Sequence, residues 1–267
     1  MERESSGFDP HTPNVARLYD YFLGGKDHFP ADRVAAERLL RVAPEIRAAA
    51  RANRAFLGRA VRYLAEAGIT QFLDIGTGLP AWGNVHEVAR KVTPGAKVVY
   101  VDRDPVVLVH ARAMPAGPGG TTVIDGDLRK PDAILRDPDV LAALDFDRPV
   151  GVLLTAVMHY LGESDRPDEI MAALRDAVAP GSHLVMSHGT SDARGAFVRK
   201  STEVYQRAGV PLTLRSRARI LELFEGFELV APGLVWLPEW HPGQTDTIDF
   251  GNGPETSLAL CGVGRKS

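Results

Sequence analysis

Hydrophobic positions in the first third of the chain recur with a helical period. Val15, Leu18, Tyr19 and Phe22 fall at i, i+3, i+4 and i+7 after Thr12-Pro13, and Gly24-Gly25 ends the run. A longer helix is predicted from Pro44 to Ala67. There Ile46, Ala50, Asn53, Leu57, Val61 and Leu64 share one face, and Gly68 supplies the C-terminal cap. Asn53 is the one polar member of that face. It needs a buried partner or costs roughly 1–3 kcal/mol, so it is predicted to anchor the helices to whatever covers them.

From Gln71 the rhythm changes to short β-branched runs alternating with helical stretches, the pattern of a parallel sheet covered by helices. Strands are predicted at Gln71 to Asp74, Lys97 to Val101, Thr121 to Ile124, Val150 to Thr155 and His183 to Ser187. Helical patterns lie between them at Val85 to Lys91, Pro105 to Ala113, Pro131 to Leu144 and Pro167 to Ala179. Further helices are predicted near Asp192 to Ala208 and Ser216 to Phe224. Phe227 to Trp236 and Ser257 to Val263 then form two late strands that should pair antiparallel, with Glu239 to Pro254 as the longest loop. The expected fold is α/β and Rossmann-like: a seven-stranded, mostly parallel sheet with an antiparallel C-terminal strand over residues 69–267, preceded by a helical cap over residues 1–68.

Composition narrows the partners. The 267 residues are 45% hydrophobic and 24% charged, and 31 basic against 34 acidic side chains leave a net charge of −3. That balance offers no electrostatic footprint for nucleic acid and suits a small-molecule substrate. The single cysteine, Cys261, rules out a disulfide framework and a thiolate zinc site, in keeping with a reducing cytoplasm. Met1 to Pro10 lacks the apolar core of a signal peptide, and no stretch approaches the roughly 18 apolar residues of a membrane span. A cytoplasmic protein without membrane partners is expected. No histidine pair or carboxylate group shows metal-ligand spacing, so no metal is expected.

Candidate chemistry gathers at the predicted strand ends. Phe72-Leu73-Asp74-Ile75-Gly76-Thr77-Gly78 runs an apolar strand into a carboxylate and a glycine turn that lets backbone approach a ligand. Gly76, Gly78 and Ala81 also fit the dinucleotide pattern G-x-G-x-x-A, so a nicotinamide or flavin ligand stays open. Asp74 favours S-adenosylmethionine, because a carboxylate there can face a cationic methionyl amino group, directly or through water, and would repel a pyrophosphate. Asp102, after Val98-Val99-Tyr100-Val101, can accept both ribose hydroxyls of either cofactor, with Arg103 beside it, while Asp104 before Pro105 suits a helix cap. At the third strand end, Asp127 and Leu128 match an adenine amino and ring contact, and Asp125 suits the turn itself. The fourth strand exits through Thr155-Ala156-Val157-Met158-His159-Tyr160, where Thr155 and Ala156 would face the cofactor. His159 there is either a general base or a packed histidine satisfied by backbone.

Thr12-Pro13-Asn14-Val15-Ala16-Arg17-Leu18-Tyr19-Asp20-Tyr21-Phe22-Leu23-Gly24-Gly25-Lys26-Asp27-His28-Phe29, with Ala52-Asn53-Arg54-Ala55-Phe56, resembles the actinobacterial S-adenosyl methyltransferase family, a class I methyltransferase family of unassigned substrate. The resemblance spans nearly the whole chain. It implies the class I methyltransferase sheet, a helical cap closing over S-adenosylmethionine, and methyl transfer to oxygen, nitrogen or carbon of a small acceptor. It further implies Tyr19 or Tyr21 at the adenine or methyl pocket, Gly24-Gly25 near the cofactor, and Lys26 or Arg54 on its carboxylate. His159, Tyr21, His28 and His188 are candidate proton acceptors in that order, and Trp236, Trp240 and His241 a candidate acceptor wall. A non-catalytic cofactor-binding protein and, less readily, an NAD(P)-dependent oxidoreductase are the alternatives.

Overall fold

The computed structural model describes residues 9–115, 117, 119–193, 202–207, 209–243, 248 and 250–267. The segment before residue 9, most of the predicted Asp192 to Ala208 helix and part of the Glu239 to Pro254 loop lie outside the described residues. Of that helix, the 202–207 stretch is helical.

Three helices lead: α1 (Val15–Leu23), α2 (Pro30–Val42) and α3 (Ile46–Glu66). Asn14 caps α1 by accepting from Ala16 N–H at 2.8 Å, and Gly24 ends it in the left-handed region at φ 84°. Arg17 and Asp32 form a buried ion pair at 3.1 Å, and Asp32 also accepts from the Asn14 and Phe29 amides, which locks α1 to α2.

The sheet follows, with β1 (Gln71–Ile75), β2 (Lys97–Asp102), β3 (Thr121–Asp125), β4 (Gly151–Thr155), β5 (His183–Gly189), β6 (Phe227–Leu229), β7 (Val235–Trp236) and β8 (Ala259–Lys266). Its main order is β3-β2-β1-β4-β5-β8-β6, with β7 also paired to β8. Strands β1 to β5 pair in parallel; β8 runs antiparallel to β5 and to β6 and β7. The chain steps outward from β1 to β3 and then crosses to β4, so the sheet has a switch point between β1 and β4. The interleaved helices are α4 (Val85–Val92), α5 (Pro105–Arg112), α6 (Pro131–Leu135), α7 (Pro138–Ala143), α8 (Pro167–Ala177) and α9 (Arg217–Glu222).

The first five strands begin and end within two residues of their predicted limits. Two predicted elements are divided. The run from Phe227 to Trp236 is broken by a turn in which Gly233 N–H reaches Val230 carbonyl at 2.8 Å, with Pro232 lacking a donor, so eight strands replace seven. The run from Pro131 to Leu144 is divided because Asp137 starts a new helix by capping the Asp139 amide at 2.9 Å, with Pro138 at its first position.

Alternate strand residues feed opposite faces. Phe72 packs with Phe56, Leu64 and Leu153 on the α3 side, and Leu73 with Leu154, Ile170 and Leu174 on the other. Helix α3 therefore shares a core with the sheet. Trp240, expected beside the acceptor, is fully buried beneath α3 and meets Phe56 edge-on at 5.4 Å between ring centres. No described helix is long and apolar enough to cross a membrane.

Asn53 joins these parts. Its Nδ2 donates to Tyr19 Oη at 2.9 Å, and its Oδ1 accepts from Ser187 Oγ at 2.5 Å; Ser187 Oγ accepts in turn from Ala156 N–H at 2.9 Å. Replacing Ser187 with Ala removes the hydroxyl donor to the Asn53 carbonyl and leaves the Ala156 amide only its longer bond to the Ser187 carbonyl, at 3.2 Å. We expect a loss of roughly 1–3 kcal/mol in urea unfolding, and an unchanged midpoint would refute the coupling.

Candidate active site

The turn after β1 is clamped to β2, since Gly76 and Thr77 amides donate to Val101 carbonyl at 2.8 and 3.2 Å. Its two glycines have different physical reasons. A Cβ on Gly76 (φ 74°) would strike Val157 Cγ2 at 2.5 Å, so that position packs the turn under the β4 exit. A Cβ on Gly78 (φ 67°) would meet nothing within 4 Å, so that position keeps backbone open to the adjoining space.

That space is a cleft of about 320 Å³ at the C-terminal ends of β1 to β4, within the range of small-molecule sites. It lies at the switch point and is roofed by α1 and α3. Gly76, Thr77, Gly78, Asp102, Arg103, Asp127, Leu128, Thr155, Ala156, Tyr19 and Arg54, all expected at the site, line it. Ala16, Leu57, Arg129, Val157 and Tyr160 line it too and were not anticipated. Only Arg129 had a sequence signal, its place two residues after Asp127 in a turn.

The three strand-end carboxylates differ in environment. Asp102 is buried, and burial raises its pKa; its two oxygens accept from the Gly78 and Asp104 amides, each at 2.9 Å. A carboxylate offers about four acceptor sites, so beside the Gly78, Asp104 and Arg103 amides acceptor capacity remains for a ligand hydroxyl. Asp74 does not reach the cleft wall. It stands behind Thr77, accepts from Thr77 Oγ1 at 2.8 Å, and burial pushes its pKa up to about 6 despite the nearby Arg54 charge. Asp127 is the opposite case. Burial opposes its ionisation, but hydrogen bonds from the Arg129 side chain and amide, with the charges of Arg129 and Arg103, bring it down to about 2. Asp104 caps α5 through Val106 N–H at 2.8 Å.

Arg54 is held by the loop beyond the glycine turn, donating to Trp82 carbonyl at 3.0 Å and Asn84 Oδ1 at 2.9 Å. Three cap residues expected at the site lie elsewhere. Lys26 is exposed and away from the cleft. Gly25 folds back on the α1 end, its amide on Asp20 carbonyl at 2.9 Å and any Cβ inside the Asp20 carboxylate. Tyr21 donates to Glu37 Oε1 at 3.1 Å and meets His28 edge-on, and His28 itself pairs with Asp20 at 3.1 Å. The reason is helical phase: Tyr19 and Tyr21 are two positions apart and face different directions.

A second chamber of about 110 Å³ adjoins the cleft, with Tyr19, Asn53, Ala156 and Tyr160 common to both walls. His159 and His188 line it. His188 is saturated: Nδ1 donates to Gly189 carbonyl at 2.7 Å, Nε2 accepts from the buried Arg215 guanidinium at 2.9 Å, and burial lowers its pKa to about 4. His159 Nδ1 accepts from Gly189 N–H at 3.2 Å, and burial, His188 and Arg215 hold its pKa well below the usual histidine value. The neutral ring therefore carries its proton on Nε2.

The open glycine turn and the buried Asp102 meet in this cleft at the C-terminal ends of the strands, where sheets of this topology take nucleotide-type ligands. Comparison with known proteins agrees. The family model described as S-adenosyl methyltransferase matches residues 1–267. A DUF574 family protein of Streptomyces avermitilis superposes with a TM-score of 0.93 at 39% identity, covering 97% of this chain and 99% of the other. A provisionally assigned methyltransferase of Thermobifida fusca superposes at 0.89 with 42% identity, covering 96% of each chain. An S-adenosylmethionine-dependent methyltransferase of Mesorhizobium loti shares the fold at 0.50 and 20% identity, covering 78% of this chain and 96% of the other. A search among curated proteins finds no match. The chain thus belongs to the S-adenosyl methyltransferase family, with the class I Rossmann-like fold and S-adenosylmethionine as its cofactor.

Proposed function

We propose that this protein transfers the methyl group of S-adenosylmethionine to a small-molecule acceptor held in the chamber beside the cleft. The observation that carries this reading is the shared wall: the cleft and the chamber meet at Ala156 and Tyr160, under the α1 and α3 roof. When bound, the cofactor supplies an electrophilic sulfonium methyl, and the protein's task is orientation and exclusion of water.

Residue roles follow from position. Asp102 accepts from the ribose with the acceptor capacity its amides leave open while holding the glycine turn closed. Arg54 pairs with the methionyl carboxylate through the guanidinium nitrogen that Trp82 and Asn84 leave free. Asp74 acts on the amino group through Thr77 or a bridging water. Asp127, kept ionised, accepts from the adenine amino group, and Leu128 packs on the ring. His159 offers a donor in the chamber, and its engaged Nδ1 argues against a general-base role.

Incubation with methyl-labelled S-adenosylmethionine and pools of small organic acceptors tests the reading. Label should appear in a small-molecule fraction; tight cofactor binding with no transfer to any pool would favour a non-catalytic binding protein instead.

Two binding measurements test the roles. Asp102→Ala should weaken S-adenosylhomocysteine binding by roughly 2 kcal/mol, about 30-fold, in calorimetry on a variant whose circular dichroism is native. Unchanged affinity removes that assignment. For Asp74, an ammonium group bound nearby favours the ionised carboxylate, so affinity should be full at neutral pH. It should fall as the pH drops through about 6, where the empty site becomes protonated. A flat profile from pH 5 to 8 would show that the amino group does not sense Asp74.

A further inference from the structure

The chamber also carries information on the acceptor, which rests on the reading above. Its walls are mainly apolar, with Phe22, Ile46, Leu212, Leu214 and Leu258 facing Tyr160 and His159. An apolar cavity of about 150 Å³ is known to take up one benzene molecule. At about 110 Å³, and continuous in its wall with the cleft, the chamber suits a single ring.

Hydrogen bonding on the walls narrows the chemistry. Asn53 is engaged by Tyr19 and Ser187, and Ser187 Oγ by Asn53 and Ala156. Tyr19 Oη donates to Ala50 carbonyl at 3.0 Å and Ser257 Oγ to Pro254 carbonyl at 2.6 Å. The Tyr160 hydroxyl donates to that of Tyr205. Both nitrogens of His188 are engaged, as is His159 Nδ1. His159 Nε2–H is left without a partner among the described residues. Such a wall presents a donor and no free nitrogen to receive a proton. It matches a reacting oxygen, which can accept from His159 with one lone pair and attack with another, whereas an amine has a single lone pair that cannot do both.

We propose that the acceptor is a single-ring oxygen acid, a phenol or an aromatic carboxylic acid, bound as its anion with the reacting oxygen accepting from His159 Nε2–H. A lone pair of that oxygen forms the O–CH3 bond as the CH3–S bond breaks, and the S–C pair stays on sulfur. The anion and the sulfonium become a neutral ether or ester and a neutral thioether. No proton has to leave, so no general base is required.

Equilibrium binding to the protein saturated with S-adenosylhomocysteine tests this, with 4-nitrophenol and benzoate as probes and 4-nitroaniline as the isosteric amine. 4-Nitrophenol should bind as its yellow anion, with its ionisation moved to lower pH, and 4-nitroaniline should bind about tenfold more weakly or worse. Ala49→Trp, which fills the chamber from a partly exposed site on α3, should weaken 4-nitrophenol about tenfold and leave S-adenosylhomocysteine affinity intact. His159→Gln, which keeps an N–H donor, should retain the displaced ionisation, and His159→Leu should lose it. Benzoate binding alone assigns the carboxylic acid, and 4-nitrophenol binding alone the phenol. Equal binding of the amine, or 4-nitrophenol binding untouched by Ala49→Trp, overturns the proposal. Binding of S-adenosylhomocysteine with none of the probes overturns it while sparing the cleft assignment; failure of S-adenosylhomocysteine to bind would instead overturn the reading of the cleft.

Discussion

The amide of Asn53 is the joint on which the arrangement of the site depends. Through Tyr19 it fixes α1, through its own backbone α3, and through Ser187 the end of β5 and the Ala156 amide. Ala156 sits at φ 54°, an uncommon conformation for a residue with a Cβ, and its amide donates to both the hydroxyl and the carbonyl of Ser187. The same residues form the boundary between cleft and chamber. A buried polar network of this kind is specific because each partner left unmatched would cost about as much as several packed methyl groups contribute.

Around that joint the carboxylates are graded by burial. Asp102 is removed from water and held by backbone amides that tie it to the glycine turn and to the start of α5. Asp74 is removed from water with one hydroxyl donor, and burial raises its proton affinity despite the Arg54 charge. Asp127, nearer the surface and gripped by Arg129, stays ionised under all ordinary conditions.

The elements were legible wherever a local rule decides them. Strands β1 to β5 are short β-branched runs bounded by turn residues, α1 ends where Gly24 permits a left-handed cap, and Asp104 caps α5 as its place before Pro105 suggests. Reading failed where two local rules compete, as at Pro138 and Pro232, each inside a run whose hydrophobic period continues past it. Trp240 misled for another reason: an aromatic in a loop is as compatible with a core as with a binding wall, and here it fills the space under α3. Tyr21 shares α1 with Tyr19, and helical phase turns it away from the cleft, while Gly25 and Lys26 lie past the Gly24 cap that ends the helix.

By itself the sequence determined the order and kind of the main sheet elements, the glycine turn and the carboxylates that follow the first three strands. Those features depend on residues within a few positions of one another. Only the tertiary structure decided that Asp74 stands behind the turn, that Arg54 is steadied by the Trp82 to Asn84 loop, and that His159 presents a donor. The last two are set by partners brought from elsewhere along the chain, Trp82 and Asn84 at 28 and 30 positions from Arg54 and Gly189 at 30 positions from His159. Hydrophobic periodicity can say that a helix has a face to bury, but the partner that each polar group meets is known only when the faces come together.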